Sequence, residues 1–215
     1  MRLIDLSHVI EDGMVTYPGL PGPRISMHLT FEASKSHYAQ GTVFSIGRID
    51  MVANTGTYLD TPAHRFPDGH DLSALPLERC ADLPAVVVDA VGTVTPDDLT
   101  GLELAGAAVL LRTGWDAHWG TERYGDSSHP HLTGEVAEAL VEAGAMLVGI
   151  DSVNIDATTT GERPTHTCLL RAGIPVVEHL THLDQLPATG ARFTAVPPLL
   201  AGMATFPVRA FATVP

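Results

Sequence analysis

The 215-residue sequence predicts a mixed α/β fold built as one domain over residues 1–215. Several short apolar runs are bounded by Gly, Pro and Asp, which is typical of buried strands. One segment between them has the spacing of an amphipathic helix. A hydrophobic content of 45% supplies enough apolar surface for a substantial core, and the length favours one domain over two.

The first third of the chain is predicted to be rich in strands. Residues 17–24, YPGLPGPR, form a Pro/Gly cluster that predicts a long irregular loop, of the kind that often serves a function or contacts another subunit. Residues 41–60 alternate between apolar and polar side chains, so we expect one extended strand that runs into a polar turn.

The middle of the chain alternates strands with helices. The predicted strands are the apolar runs at 85–91, 107–113 and 145–152. Between the first two, Pro96 followed by two aspartates predicts a short helix within 93–106.

A longer helix is predicted over residues 133–144. Thr133 can cap its first turn, Val136 and Leu140 share one face with Val141, and Gly144 can end it.

Charge and cysteine content exclude several classes of protein. The net charge is −13 and Lys35 is the sole lysine, so we expect no nucleic-acid partner. The two cysteines stand far apart, which disfavours a disulfide framework or a zinc finger. No apolar run reaches the roughly 18 residues of a membrane span, so we expect no membrane partner and a cytoplasmic location.

Two segments carry candidate chemistry. Residues 54–64, NTGTYLDTPAH, place Asp60 four residues before His64, a pair that by itself is more typical of solvated or hydrogen-bonded side chains than of a site. A second segment contains further acids and histidines, namely Asp151, Asp156, His166, Glu178 and His179. Such oxygen and nitrogen ligands hold zinc or manganese when the chain folds back to bring them together.

The motifs resemble those of the cyclase family, which includes bacterial kynurenine formamidases and is related to isatin hydrolases. Within 54–64, five positions match the signature H-x-G-T-H-x-D-x-P-x-H, namely Gly56, Thr57, Asp60, Pro62 and His64. The opening IDLSHVIEDGMVTYPG, the later PTH and VVEHL, and the closing FPVRAFA are similar to further family segments. The resemblance therefore runs nearly from end to end.

The resemblance implies an α/β domain of the swivelling β/β/α type, with a central barrel-like β-structure flanked by helices. It also implies a homodimer or larger homo-oligomer and a metal-dependent hydrolase. On the matched positions, His64 corresponds to the catalytic histidine, and Asp60, His166 and Glu178 correspond to the ligands of one metal ion.

The sequence departs from the family at two ligand positions. Asn54 and Tyr58 stand where the first two signature histidines would be, and an amide or a neutral phenol is a poorer zinc ligand than imidazole. Two interpretations stay open. One divalent ion, zinc or manganese, binds to Asp60, His166 and Glu178, or no ion binds and Asn54 and Tyr58 form hydrogen bonds across the emptied site or with the substrate.

The predicted function is hydrolysis of an amide, ester or lactam-like bond in a small, aromatic or non-aromatic molecule. His64 would transfer the proton, with or without help from a metal ion. One alternative is a non-hydrolytic cyclase or dehydratase of secondary metabolism. Another is a catalytically silent relative that binds a small molecule, because one fold can host many functions.

Two further features have both a structural and a functional interpretation. Arg112, at the end of a predicted strand, could bind a substrate carboxylate or form a structural ion pair. Trp115 and Trp119 could belong to the core or to a pocket wall.

Overall fold

The computed structural model describes residues 1–215 and contains eleven strands and three α-helices joined by single 3-10 turns. The strands are β1 (Arg2–Asp5), β2 (Arg24–Leu29), β3 (Ile46–Asp50), β4 (Tyr58–Asp60), β5 (Leu83–Asp89), β6 (Ala108–Arg112), β7 (Leu147–Ile150), β8 (Val176–Glu178), β9 (Ala191–Thr194), β10 (Thr205–Pro207) and β11 (Phe211–Val214). The helices are α1 (Phe31–Ser34), α2 (Gly134–Glu142) and α3 (Pro164–Arg171).

Nine strands form one sheet, curled into a half-barrel, in the order β1-β11-β9-β5-β6-β7-β8-β4-β10. The central strands β5, β6, β7 and β8 run parallel, and the strands on either side of them pair antiparallel. This architecture confirms the predicted α/β class and its barrel-like β-structure. The extent of the domain, residues 1–215, stays a prediction.

Both faces of the sheet are buried, which explains why its central strands are apolar throughout. Ala85 and Val87 of β5 enter one hydrophobic core, whereas the intervening Val86 and Val88 enter a second core beneath α2 and α3. Successive side chains of a strand point to opposite faces, so a strand buried on both faces must be a continuous apolar run.

The middle elements lie where the sequence predicts them. The strands β5, β6 and β7 fall on the three predicted apolar runs, and α2 falls inside 133–144. The Thr133 hydroxyl accepts the backbone N–H of Val136 as the predicted N-cap, and Val136 and Leu140 are fully buried.

The short helix predicted within 93–106 is confirmed as a 3-10 helix over Pro96–Leu99, with Pro96 in its first turn and a capping box between Thr95 and Asp98. Gly101 then takes a left-handed conformation (φ +77°), which ends the turn.

The predicted single strand at 41–60 is two strands in different sheets. The strand β3 pairs only with β2 and β4 joins the main sheet, because the chain turns at Gly56 (φ +65°) between them. The sequence therefore correctly predicted the extended structure and the polar turn, but not that the turn carries the chain from one sheet into another.

The two-stranded hairpin of β2 and β3 projects from the main sheet. Several of its apolar side chains are exposed, including Ile25, Met27, Ile46 and Ile49. The longest helix, α2, has nine residues, so no helix of this structure could cross a membrane.

Candidate active site

The motif at residues 54–64 enters the sheet at β4, which lies between β8 and β10. In the antiparallel register of β4 and β8, Tyr58 lies directly opposite Glu178. Asp60 ends the strand, and the following 3-10 turn at Pro62–His64 places His64 next to it. The residues that the sequence separates by more than a hundred positions are therefore neighbours across one strand pair.

His166 comes from the first turn of α3 and is held by Asp156. The Asp156 carboxylate accepts the backbone N–H groups of Thr165 and His166, and its Oδ2 lies 2.6 Å from Nδ1 of the His166 ring. Nδ1 therefore donates to Asp156, which leaves Nε2 to face the site. Burial lowers the pKa of His166, but the hydrogen bond to Asp156 and the nearby carboxylates outweigh it and raise the pKa to about 10.

Two carboxylates face Nε2 of His166. Asp60 Oδ2 lies 3.7 Å away and Glu178 Oε1 lies 3.6 Å away, both too far for a hydrogen bond but close enough for strong attraction. Burial raises the pKa of Asp60, yet the attraction of His166 and His64 outweighs it, so the net shift is downward.

Asp60 has one oxygen without a partner. The Thr205 hydroxyl donates to Oδ1, but Oδ2 is buried and has no hydrogen bond. A buried carboxylate oxygen without a partner is costly unless a cation lies beside it. The protonated His166 ring, 3.7 Å away, supplies that charge in the metal-free protein, and a metal ion held by both groups would supply it in its place.

His64 is held by the same threonine. Its Nδ1 lies 3.0 Å from the Thr205 hydroxyl, which already donates its only hydrogen to Asp60. The hydroxyl must therefore accept from Nδ1–H, and Nε2 of His64 is left unprotonated in the neutral ring. A base held by a hydrogen bond on its other nitrogen is the arrangement that proton transfer requires.

The two substituted positions behave differently. The Tyr58 hydroxyl donates to Glu178 Oε2 at 2.6 Å, and burial, followed by the charges of Glu178 and Asp60, raises the pKa of Tyr58 well above its usual value. Tyr58 is therefore a neutral hydrogen-bond donor. Asn54 lines the cavity beside it.

The residues present fit a divalent metal ion. Asp60, His64 and His166 each offer one ligand atom, and these atoms lie within 4.8 Å of one another. Glu178 adjoins this group through His166. The sequence predicts Asp60, His166 and Glu178 as ligands, whereas the structure groups Asp60 and His166 with His64. His64 and Glu178 are therefore alternative candidates for the third ligand position.

His64, His166 and Glu178 open into a cavity of about 550 Å³, a volume suited to a small molecule, and Asp60 is fully buried beside them. Its lining residues are Tyr17, Pro18, Gly19, Leu20, Asn54, Tyr58, His64, Arg65, Asn154, Arg163, His166 and Glu178. The Pro/Gly loop predicted at 17–24 thus forms one wall.

A larger cavity of about 890 Å³ lies beyond that loop and shares Pro18 with it. Its walls include Trp119 and Tyr124, but none of the candidate metal ligands reaches it. We therefore assign the chemistry to the smaller cavity.

Two other residues that the sequence analysis named, Arg112 and Asp151, make contacts that stabilise the fold. Arg112 forms a two-pronged ion pair with Asp89, which supports the structural interpretation. Asp151 accepts the backbone N–H groups of Thr113 and Gly114, so it fixes a turn.

The two tryptophans divide between core and pocket. Trp115 is largely buried and donates to the Tyr124 carbonyl oxygen. Trp119 stacks on His8 at the larger cavity, with ring centroids 3.8 Å apart.

Thr205 and the cavity arginines have no counterpart in the sequence prediction. Thr205 contacts both Asp60 and His64 because β10 pairs with β4, opposite Asp60. Arg65 and Arg163 line the cavity, and no motif marks them. A lone threonine or arginine carries no signal in sequence, so only the folded chain identifies these residues.

Known proteins are similar to this chain over most of its length. The family model described as "Putative cyclase" matches residues 4–157. The kynurenine formamidase of Bacillus cereus is 29% identical over 210 residues, covering 96% of this chain and 95% of that protein. The kynurenine formamidase of Bacillus mycoides is similar to the same extent.

Solved structures show the same likeness. Isatin hydrolase A from Labrenzia aggregata has a TM-score of 0.83 and 26% identity, covering 99% of this chain and 93% of that one. A structure described as a potential metal-dependent hydrolase with cyclase activity has a TM-score of 0.79 and 25% identity, covering 98% and 96%. The chain is thus an enzyme of the hydrolase class, and it belongs to the cyclase family.

Proposed function

We propose that this hydrolase cleaves the C–N bond of an amide or lactam in a small aromatic molecule. The observation that carries the proposal is the meeting of Asp60, His64 and His166 at one cavity, with a buried carboxylate oxygen left unpartnered. Relatives named kynurenine formamidase and isatin hydrolase support this bond type and substrate class.

The proposed cofactor is one divalent ion, zinc or manganese. Asp60 Oδ2 and His166 Nε2 would hold it, with Glu178 as the third ligand that the sequence predicts and His64 as its rival. Three protein ligands with an open position are typical of catalytic zinc. Such an ion would polarise the substrate carbonyl and acidify a water molecule.

His64 is the proposed proton carrier. Its Nε2 would take a proton from the attacking water and return it to the leaving nitrogen, while Thr205 holds Nδ1. Because Thr205 also donates to Asp60, the proton carrier and a metal ligand are held by one side chain. Their mutual orientation is then set before the substrate binds.

The cavity supports the proposed substrate. Tyr17 lines the cavity with an aromatic ring, and the positively charged Arg65 and Arg163 also line it. Arg163 is anchored by three backbone carbonyl groups, whereas Arg65 donates to Thr167 at the exposed rim. A ring with an acidic substituent would complement this lining.

Turnover in ¹⁸O-labelled water tests the proposal. Aryl formamides and aryl lactams should give a carboxylic acid with one solvent oxygen for each bond cleaved. A product without solvent oxygen would instead support the alternative of a cyclase or dehydratase. Absence of turnover over the whole panel, with saturable binding of an aromatic acid, would support a silent binding protein.

We further propose a homodimer or larger homo-oligomer, a single domain over residues 1–215 and a cytoplasmic location. The exposed apolar side chains of the β2 and β3 hairpin support self-association, because such surfaces are usually covered by a partner. Light scattering at micromolar concentration tests the proposed self-association, and a strictly monomeric mass would contradict it.

A further inference from the structure

Four buried side chains form a continuous polar chain behind the candidate active site. Tyr124 lies 2.8 Å from Nδ1 of His179, whose Nε2 lies 3.3 Å from the Tyr58 hydroxyl. Tyr58 in turn lies 2.6 Å from Glu178 Oε2. The chain begins at the wall of the larger cavity and ends at the smaller one.

The direction of the hydrogen bonds follows from Tyr124, whose buried hydroxyl contacts Nδ1 of His179 and no other polar group. If this hydroxyl accepted, its own hydrogen would be left without a partner, so Tyr124 donates and Nδ1 accepts. The ring then carries its proton on Nε2 and donates to the Tyr58 oxygen, and Tyr58 donates to Glu178 Oε2.

The backbone of His179 is held in an uncommon conformation. Its φ is +59°, in the left-handed region that favours glycine. The Thr57 hydroxyl donates to the His179 carbonyl oxygen at 2.5 Å, and the His179 N–H donates to the Ser152 carbonyl oxygen. These contacts fix the residue whose ring lies between the two tyrosines.

Glu178 is fixed at both oxygens as a result. Oε2 accepts from Tyr58, and Oε1 accepts the Ile155 N–H at 2.7 Å while facing Nε2 of His166 at 3.6 Å. Without the Tyr58 bond, one end of the carboxylate would lose its donor and the group could rotate. Groups that orient a ligand in this way commonly change metal affinity 10- to 100-fold.

We infer that Tyr124 and His179 are positioning residues. They act through the Tyr58 hydroxyl to orient Glu178 Oε1 toward the candidate metal site, which His166 Nε2 also faces. The effect of these residues on metal affinity rests on the proposed metal site, whereas the direction of the hydrogen bonds does not. It gives Tyr58 a role as an orienting donor where the family signature has a metal-binding histidine.

The direction of the chain is tested by ¹⁵N NMR of histidine side chains in the metal-free protein. The His179 signals should show the Nε2–H tautomer. Tyr124→Phe, which removes the donor to Nδ1, should shift the Nδ1 resonance, whereas the matched control Tyr38→Phe on the exposed segment should not. The Nδ1–H tautomer in the wild type, or no response to Tyr124→Phe, would overturn the inference.

The effect on Glu178 is tested by zinc affinity, measured in competition with a chromophoric chelator. Tyr124→Phe and Tyr58→Phe should each weaken zinc binding about 10- to 100-fold, and the double variant should be no weaker than Tyr58→Phe alone. In a Glu178→Gln background, Tyr124→Phe should change the affinity less than about twofold, because its target is gone.

The outcomes separate this inference from the proposed function. Additive losses in the double variant, or an undiminished effect of Tyr124→Phe in the Glu178→Gln background, would refute an action through Tyr58 and Glu178. If the wild type binds no divalent ion, the metal part of the proposed function fails, and the effect on zinc affinity fails with it. In that case the tautomer of His179 still decides the direction of the hydrogen bonds from Tyr124 to Glu178.

Discussion

Replacing Thr205 with valine removes one hydroxyl group from the centre of the site and nearly preserves the shape of the side chain. Thr205 is buried on β10, and its hydroxyl both donates to Asp60 Oδ1 and accepts from Nδ1 of His64. No other single atom contacts both the candidate metal ligand and the candidate proton carrier. The substitution therefore tests whether the two are held as a unit.

The expected magnitude follows from these two bonds. In the metal-free protein, the variant leaves both oxygens of the fully buried Asp60 carboxylate without a hydrogen bond, and an unsatisfied charged group costs about 3 kcal/mol of unfolding free energy. Loss of the acceptor for Nδ1 frees the His64 ring. We expect kcat to fall about 10- to 100-fold, less than removal of His64 itself.

Urea unfolding with and without added zinc, together with kcat on an aryl formamide, measures both effects. Zinc should restore part of the lost stability, because a cation beside Asp60 compensates for the missing donor. Thr213→Val on β11, far from the site, is the matched control and should leave both quantities unchanged. Wild-type stability and wild-type kcat in Thr205→Val would refute the shared role of the hydroxyl.

Three further predictions concern the site residues. His64→Ala should lower kcat by roughly 10² to 10⁴ and remove one ionisation from the pH–rate profile, and an unchanged kcat with an unchanged profile would exclude His64 as proton carrier. His166→Ala should abolish metal content by elemental analysis while Asn54→Ala reduces it much less, and equal content in wild type and His166→Ala would contradict the ligand assignment. Restoring both histidines, with Asn54→His and Tyr58→His, should raise the metal stoichiometry toward two; a stoichiometry that stays at one would mean that more than two ligands have been lost.

Local patterns in the sequence determined the secondary structure of the middle of the chain. The runs that became β5, β6 and β7 are apolar because these strands are buried on both faces, and Thr133 and Gly144 mark the ends of a helix by backbone chemistry that acts over a single turn. The pattern did not show that the chain changes sheet at the turn around Gly56, because an alternating run looks the same whether or not the chain changes sheet within it.

The sequence also predicted the ligand types, through the motif around Asp60 and His64 and through the later His166 and Glu178. Their meeting was decided only by tertiary structure, since the register of β4 against β8 and the docking of α3 bring together residues more than a hundred positions apart. Thr205 and the chain from Tyr124 to Glu178 depend wholly on such contacts. Hydrogen bonds act over about 3 Å in space, and spacing along the chain carries no information about which distant groups come that close.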